Sequence, residues 1–223
     1  GGLDIRTSNN NIVLSDGDGN PRQVINNSGA VGYAGANYGT SGQVLTSGGS
    51  GAAPTWADAA SGVVLLDTQT CSGSNLTFTL PTTGYAYFKL TFHGVISSAN
   101  SEQLRIKVYG TTGNYAFQVM SLYNGTNQTY TATADSAGVL VSYSQLNTAA
   151  AGCSGEFTIF ESATASVPAY GTFNASYTDD NSNLNFTRGG WKTVNTEVQT
   201  NVEVRYSGGN PNSGTVRLYG IKS

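Results

Sequence analysis

Leu104-Arg105-Ile106-Lys107-Val108-Tyr109 decides the fold class. Apolar and polar side chains alternate along it without a break. A strand points successive side chains to opposite faces, so Leu104, Ile106 and Val108 share one face and predict a strand buried on one side. Asn75-Leu-Thr-Phe-Thr-Leu80 repeats the pattern with Leu76, Phe78 and Leu80. The aromatic stretch from Tyr85 to Val95 sets Phe88, Leu90 and Phe92 against Tyr87, Lys89, Thr91 and His93. Further strands are expected at 63–67, 115–123, 139–143, 155–161, 170–177, 194–198, 202–206 and 214–221, with a turn at Gly208-Gly-Asn-Pro-Asn212. That makes roughly eight to ten strands and no helical pattern. The expected architecture is all-β, a two-sheet, jelly-roll-like β-sandwich head over residues 61–223.

Composition agrees with strands. The 223 residues include 27 Thr and 13 Tyr, both strand formers. Only 10% are charged and the net charge is −3, too small for the charge-driven disorder that low apolar content otherwise suggests. Ten Lys+Arg against 13 Asp+Glu argue against nucleic-acid binding. No apolar run reaches the length of a membrane span, so no membrane insertion is expected. No secretory signal is visible, and the opening at Gly1 without Met points to a fragment or a processed product.

Residues 1–60 read differently. Leu3–Thr7 and Asn11–Ser15 are followed by Asp16-Gly-Asp-Gly-Asn-Pro21, a strong turn signal, and then Gln23–Asn26: a short hairpin. A Gly-rich passage from Ser28 to Gly39 carries Val31, Tyr33, Ala34 and Tyr38. Then comes Thr40-Ser-Gly-Gln-Val-Leu-Thr-Ser-Gly-Gly-Ser-Gly-Ala-Ala-Pro-Thr-Trp56, with Val44, Leu45 and Trp56 as its large apolar residues. Three such side chains do not offset the entropy of ordering this stretch in a monomer. Several copies wrapped round one axis pool Val44, Leu45 and Trp56 into a shared seam. Residues 1–60 are therefore expected to form an intertwined shaft or neck, with a hinge from Ala57 to Gly62.

The stretch over residues 40–56 resembles a segment that recurs in bacteriophage fibre proteins, close to GTSGQVLTSNGSGAAPTW, between a thin shaft and a globular head. The ending, Ser213-Gly-Thr-Val-Arg-Leu-Tyr-Gly-Ile-Lys222, resembles the terminal SGT(I/V)xLYGI strand of many phage fibre and virion head domains. Read for itself, it sets Val216, Leu218 and Gly220 on one face, as a last strand closing a sandwich does. The resemblance implies a homotrimeric structural virion fibre protein. The expected role is the distal receptor-binding part of a phage tail fibre, attaching to the host bacterial surface by avidity and without enzymatic chemistry. The alternative is a trimeric capsid decoration or head-fibre protein. The implied partners are other virion proteins through the N-terminal side, and a host surface polysaccharide or outer-membrane protein. Assembly in the host cytoplasm and release by lysis are also implied. A reducing cytosol favours two separate buried thiols at Cys71 and Cys153, while their matching Cys-Ser-Gly contexts leave a disulfide open.

The candidate receptor contacts lie on turns rich in Asn and aromatics: Tyr123, Asn124 and Asn127; Asp179 and Asp180; Trp191; Asn210 and Asn212. Gly189-Gly190-Trp191-Lys192 reads as a turn whose Trp191 either stacks on a sugar or plugs the end of the sandwich, the plug being preferred. Asp16, Asp18 and Asn20 match the first three ligand positions of a calcium loop. Pro21 and Asn27 stand where that loop needs Gly and Glu, so a tight turn is expected. Asp179-Asp180-Asn181 likewise reads as a solvated loop. Two Cys and the single His93 are too few for a metal site, and neither metal nor cofactor is expected. Glu156 and Glu161 lie about 16 Å apart along a strand and on opposite faces, wider than either glycosidase geometry. Glu197 and Glu203 do no better, and only pairs drawn from different strands stay open. His93 has no nucleophile motif beside it.

Overall fold

The computed structural model describes residues 11–59, 62–123, 125–143, 152–179 and 181–222. Residues 3–7, Asn124, Asp180 and the side chain of Tyr123, singled out above, lie outside them. The chain divides into two compact units, Gly1–Ser61 and Gly62–Ser223.

In the first unit, β1 (Ile12–Ser15), β2 (Pro21–Ile25) and β3 (Val31–Tyr33) form an antiparallel sheet in that order. The β1–β2 turn is organised by Asp16. Its Oδ1 accepts the amides of Asp18 at 3.1 Å and Asn20 at 2.9 Å, and its Oδ2 accepts Arg22 Nε at 2.8 Å. The carboxylate thus holds a tight turn and carries its own guanidinium counter-ion. β4 (Gln43–Thr46) and β5 (Thr55–Asp58) make a separate hairpin with Leu45 opposite Trp56 and Val44 opposite Ala57. Residues 40–56 therefore pair within one chain, and Ala57 and Asp58 belong to a strand instead of the expected hinge. Alternation puts Leu45 and Trp56 on one face and Val44 on the other, so a seam along one face takes two of the three expected residues. Trp56 packs on Gly39, where a Cβ would come within 2.7 Å of the indole. Its Nε1 donates to the Asn37 carbonyl at 2.8 Å. Among the described residues of this unit Val24 is the one large apolar side chain that is buried. Ile12, Leu14, Val44 and Leu45 are 38–58% exposed.

The described residues of the second unit form twelve strands: β6 (Val63–Thr70), β7 (Leu76–Thr79), β8 (Tyr87–Ser97), β9 (Leu104–Tyr109), β10 (Tyr115–Tyr123), β11 (Thr126–Asp135), β12 (Val139–Leu140), β13 (Cys153–Phe160), β14 (Tyr170–Thr178), β15 (Leu184–Thr193), β16 (Asn201–Tyr206) and β17 (Pro211–Ile221). They form an eight-stranded sheet, β11-β10-β15-β14-β13-β8-β17-β6, and a four-stranded sheet, β12-β9-β16-β7, antiparallel throughout. The inner faces of both sheets share one core. Leu76, Phe78, Leu104, Ile106 and Val108 come from the small sheet, and Phe88, Leu90, Phe92, Val216 and Leu218 from the large one. These are the faces that alternation predicts. Two buried tyrosines tie the sheets together. The Tyr115 hydroxyl accepts the Val108 amide and donates to the Val108 carbonyl, both at 3.0 Å, and the Tyr206 hydroxyl donates to the Val95 carbonyl at 2.9 Å. Among the described residues no helix is long and apolar enough to cross a membrane.

Three expectations need correction. Residues 194–198 form no strand; the chain turns there, and Gln199 Nε2 donates to the Glu197 carbonyl. β11 and β15 were not expected. β11 is polar on both faces because it is an edge strand with β10 as its one neighbour in the sheet. β15 contains the supposed Gly-rich turn, yet it is paired along its length with β10 and β14. Pro211 and Asn212 likewise open β17 instead of completing a turn, with bulges between Pro211 and Thr215.

Candidate functional site

The strand registers place the expected contact turns. Tyr123 pairs with Asn185 and Thr178 with Leu184, so the β10–β11 and β14–β15 connections are neighbours at one end of the large sheet. Ser97 pairs with Pro211 and Cys153 with Val95, which brings the β16–β17 turn to the same end. Five strand spacings, about 24 Å, separate β10 from β17 there. The first strand begins at the opposite end, where Val63 pairs with Ile221. Asn127, Asn210 and Asn212 are exposed at the shared end.

Asp179 and Trp191 are not available as contacts. Asp179 is fully buried, and its Oδ1 accepts the amides of Asn181 at 3.0 Å and Asn183 at 2.8 Å. Its carboxylate shapes the turn. Trp191 is buried in the middle of the aromatic core, stacked on Phe157 with ring centroids 4.8 Å apart, and its Nε1 donates to the Thr158 carbonyl. An inward strand position puts it there, so it neither meets solvent nor caps the sandwich.

The glutamates that could carry acid chemistry are each occupied. Lys89 Nζ donates to Glu156 Oε2 at 2.8 Å and Asn174 Nδ2 to Glu156 Oε1 at 3.0 Å. The Lys89 bond outweighs partial burial and holds the Glu156 carboxyl below the usual range. Burial opposes ionisation of Glu197, but the hydroxyls and amides of Thr111 and Thr112 overcome it and bring its pKa to about 2. Glu161 accepts the Thr164 hydroxyl, and Glu203 faces Arg205. His93 is exposed on the outer face of β8. Cys71 and Cys153 are free and buried. Burial pushes the Cys71 thiol up to about 11 and raises Cys153 as well. β6 and β13 stand three strand spacings apart, about 14 Å, against the roughly 7 Å that a disulfide spans.

A trough of about 650 Å³ runs over the outer face of the large sheet between β10 and β14, along β15. Its walls are Gln118, Met120, Thr172, Asn174, Phe186 and Arg188. The registers Met120–Arg188–Asn174 and Gln118–Gly190–Thr172 explain its form. Gly190 contributes no side chain to its row, so the floor lies open there; a Cβ would find nothing nearer than 3.8 Å. Sequence reasoning missed this site. The signal was present in the outward residues Leu184, Phe186, Arg188, Gly190 and Lys192, which alternate as a strand's do but contain the Gly-Gly pair read as a turn. Compared with known proteins, the chain matches no protein-family model, no curated protein and no solved structure.

Proposed function

We propose that this chain is a structural virion fibre protein, the distal receptor-binding part of a phage tail fibre that attaches to the host bacterial surface. The observation that carries the reading is the gathering of the β10–β11, β14–β15 and β16–β17 turns at the end of the second unit opposite to where its first strand begins. That arrangement suits a head that presents its loops distally. Strand order supports a jelly-roll reading of the head. Numbered one to eight in sequence, β6, β7, β8, β9, β12, β13, β16 and β17 lie as 1-8-3-6 in one sheet and 2-7-4-5 in the other. The hairpins β10–β11 and β14–β15 then extend one sheet. A homotrimer is supported by the first unit, whose exposed Ile12, Leu14, Val44 and Leu45 lack a core of their own. Three heads on a common shaft convert weak contacts into firm adsorption.

The test is saturable binding of the labelled protein to a panel of intact bacterial strains. Binding to a subset of strains, displaced by unlabelled protein and weakened by Asn127→Ala with Asn210→Ala, supports the reading. Binding to none sinks it. Immunogold label on the capsid instead of the tail would transfer the reading to a decoration protein.

A further inference from the structure

We propose that the trough along β15 binds a carboxylate-bearing saccharide, gripped by Arg188 and Lys192. The inference rests on the receptor-binding reading, names a ligand class for it, and adds a contact on the sheet face to those on the turns. Charge is the first argument. Arg188 lines the trough and Lys192 stands just past its end; both point outward from the same strand, about 13 Å apart with Gly190 between them. Among the described residues neither guanidinium nor ammonium has a hydrogen-bond or ion-pair partner, whereas Arg22, Lys89, Arg105 and Arg205 are all paired. β10, β14 and β15 contain no acidic residue at all. A guanidinium offers a carboxylate a planar two-point fork, and the ammonium adds a point charge further along.

The rest of the trough matches a sugar. Phe186, 41% exposed, offers an apolar ring to the C–H face of a pyranose, and Tyr170, 50% exposed and paired with Lys192, stands just past the end of the trough. Gln118, Thr172 and Asn174 supply donors and acceptors for hydroxyls. Asn174 commits its Nδ2 to Glu156, which leaves its Oδ1 to accept a hydroxyl. The open floor at Gly190 gives the ring room to lie flat against backbone. No acid–base pair lines the trough, so the site binds without cleaving.

A second copy of the chain is the rival occupant, and the acids argue against it. Every described carboxylate of this unit is already engaged, from Asp67, which accepts Gln69, through Glu102, Asp135, Glu156, Glu161, Asp179 and Glu197 to Glu203, which faces Arg205. A copy docked by this unit would bury two cations without a free anion to meet them, which is costly. The anion has to come from outside.

The experiment is a calorimetric titration of the full chain with three probes, oligogalacturonate, oligosialate and hyaluronan hexasaccharide, each beside its neutral methyl ester. At least one acidic form is expected to bind about tenfold or more tighter than its ester, and less tightly as salt rises. Arg188→Gln and Gly190→Val should each remove most of that preference, with unchanged thermal melting, while Lys222→Ala leaves it intact. Three acidic forms that bind no better than their esters would overturn the inference, as would full binding by both variants. A lower solution mass in either variant would also overturn it, by assigning the trough to a second copy. Arg188→Gln removes a surface charge only, so it remains decisive if Gly190→Val folds poorly. If cells bind the protein and its Arg188→Gln form equally, the receptor reading stands and the trough falls. If acidic oligomers bind and cells do not, the reverse holds.

Discussion

Asp16, Asn26 and Asp179 use one device. In each, Oδ1 accepts the amides two and four residues on, at 2.8–3.1 Å, and closes a tight loop. The turn at Asp16 was legible because the ligand pattern of a calcium loop breaks at Pro21 and Asn27. Asp179 was legible as a loop residue but not as a buried one, since sequence does not say that a carboxylate will face inward onto its own amides. Glu197 is a third acid used for structure, bracing the 111–112 turn through two threonines. Its pKa falls from an ordinary 4.5 to about 2, so the folded state releases this proton more readily than the unfolded chain. The stabilisation is complete above pH 4.5 and is lost as pH falls toward 2. Thermal melts across that range should show the parent's advantage over Glu197→Gln shrinking with acid. A difference independent of pH would mean that the bonds from Thr111 and Thr112 do not depend on the charge.

Among the elements, β15 separates what local pattern can and cannot reveal. Gly189 faces inward, where a Cβ would sit 2.3 Å from the Gln118 carbonyl and 2.6 Å from the Phe173 ring. Gly190 faces outward into open space. Adjacent glycines therefore have opposite tolerances. Gly189→Ala is expected to cost about 2 kcal/mol through overpacking, whereas Gly190→Ala should be neutral or stabilise by about 0.5–1 kcal/mol. Denaturant midpoints of the two variants check this, and equal midpoints would contradict the strand register. Trp191→Ala removes a stacked, fully enclosed ring and should cost about 3–5 kcal/mol. Both glycines read as turn punctuation in sequence. Only the strands on either side turn them into one crowded site and one open floor.

Across the whole molecule, the two units differ in how much they bury. Among its described residues the second has a continuous core of 30 buried residues from both sheets, and its thiols lie inside it. A thiol reagent should modify neither Cys71 nor Cys153 in the folded protein and both in denaturant; one fast-reacting thiol would show the core to be open at that point. The first unit leaves Ile12, Leu14, Val44 and Leu45 exposed, and on the proposed shared shaft Leu45→Asp should lower the mass measured by light scattering. An unchanged mass would rule out Leu45 as part of a seam.

The sequence by itself determined the all-β class, the inward faces of β7, β8, β9 and β17, and the hairpin at Asp16. Alternation and turn chemistry are local, and a two-residue period is readable wherever one face is buried and the other wet. Only the tertiary structure decided that polar Thr126–Asp135 is an edge strand, that Trp191 is core, that three distant turns share one end, and that Arg188 and Lys192 flank an open floor. Each of these depends on which strand lies beside which, and pairings between residues tens of positions apart leave no periodic trace in the chain.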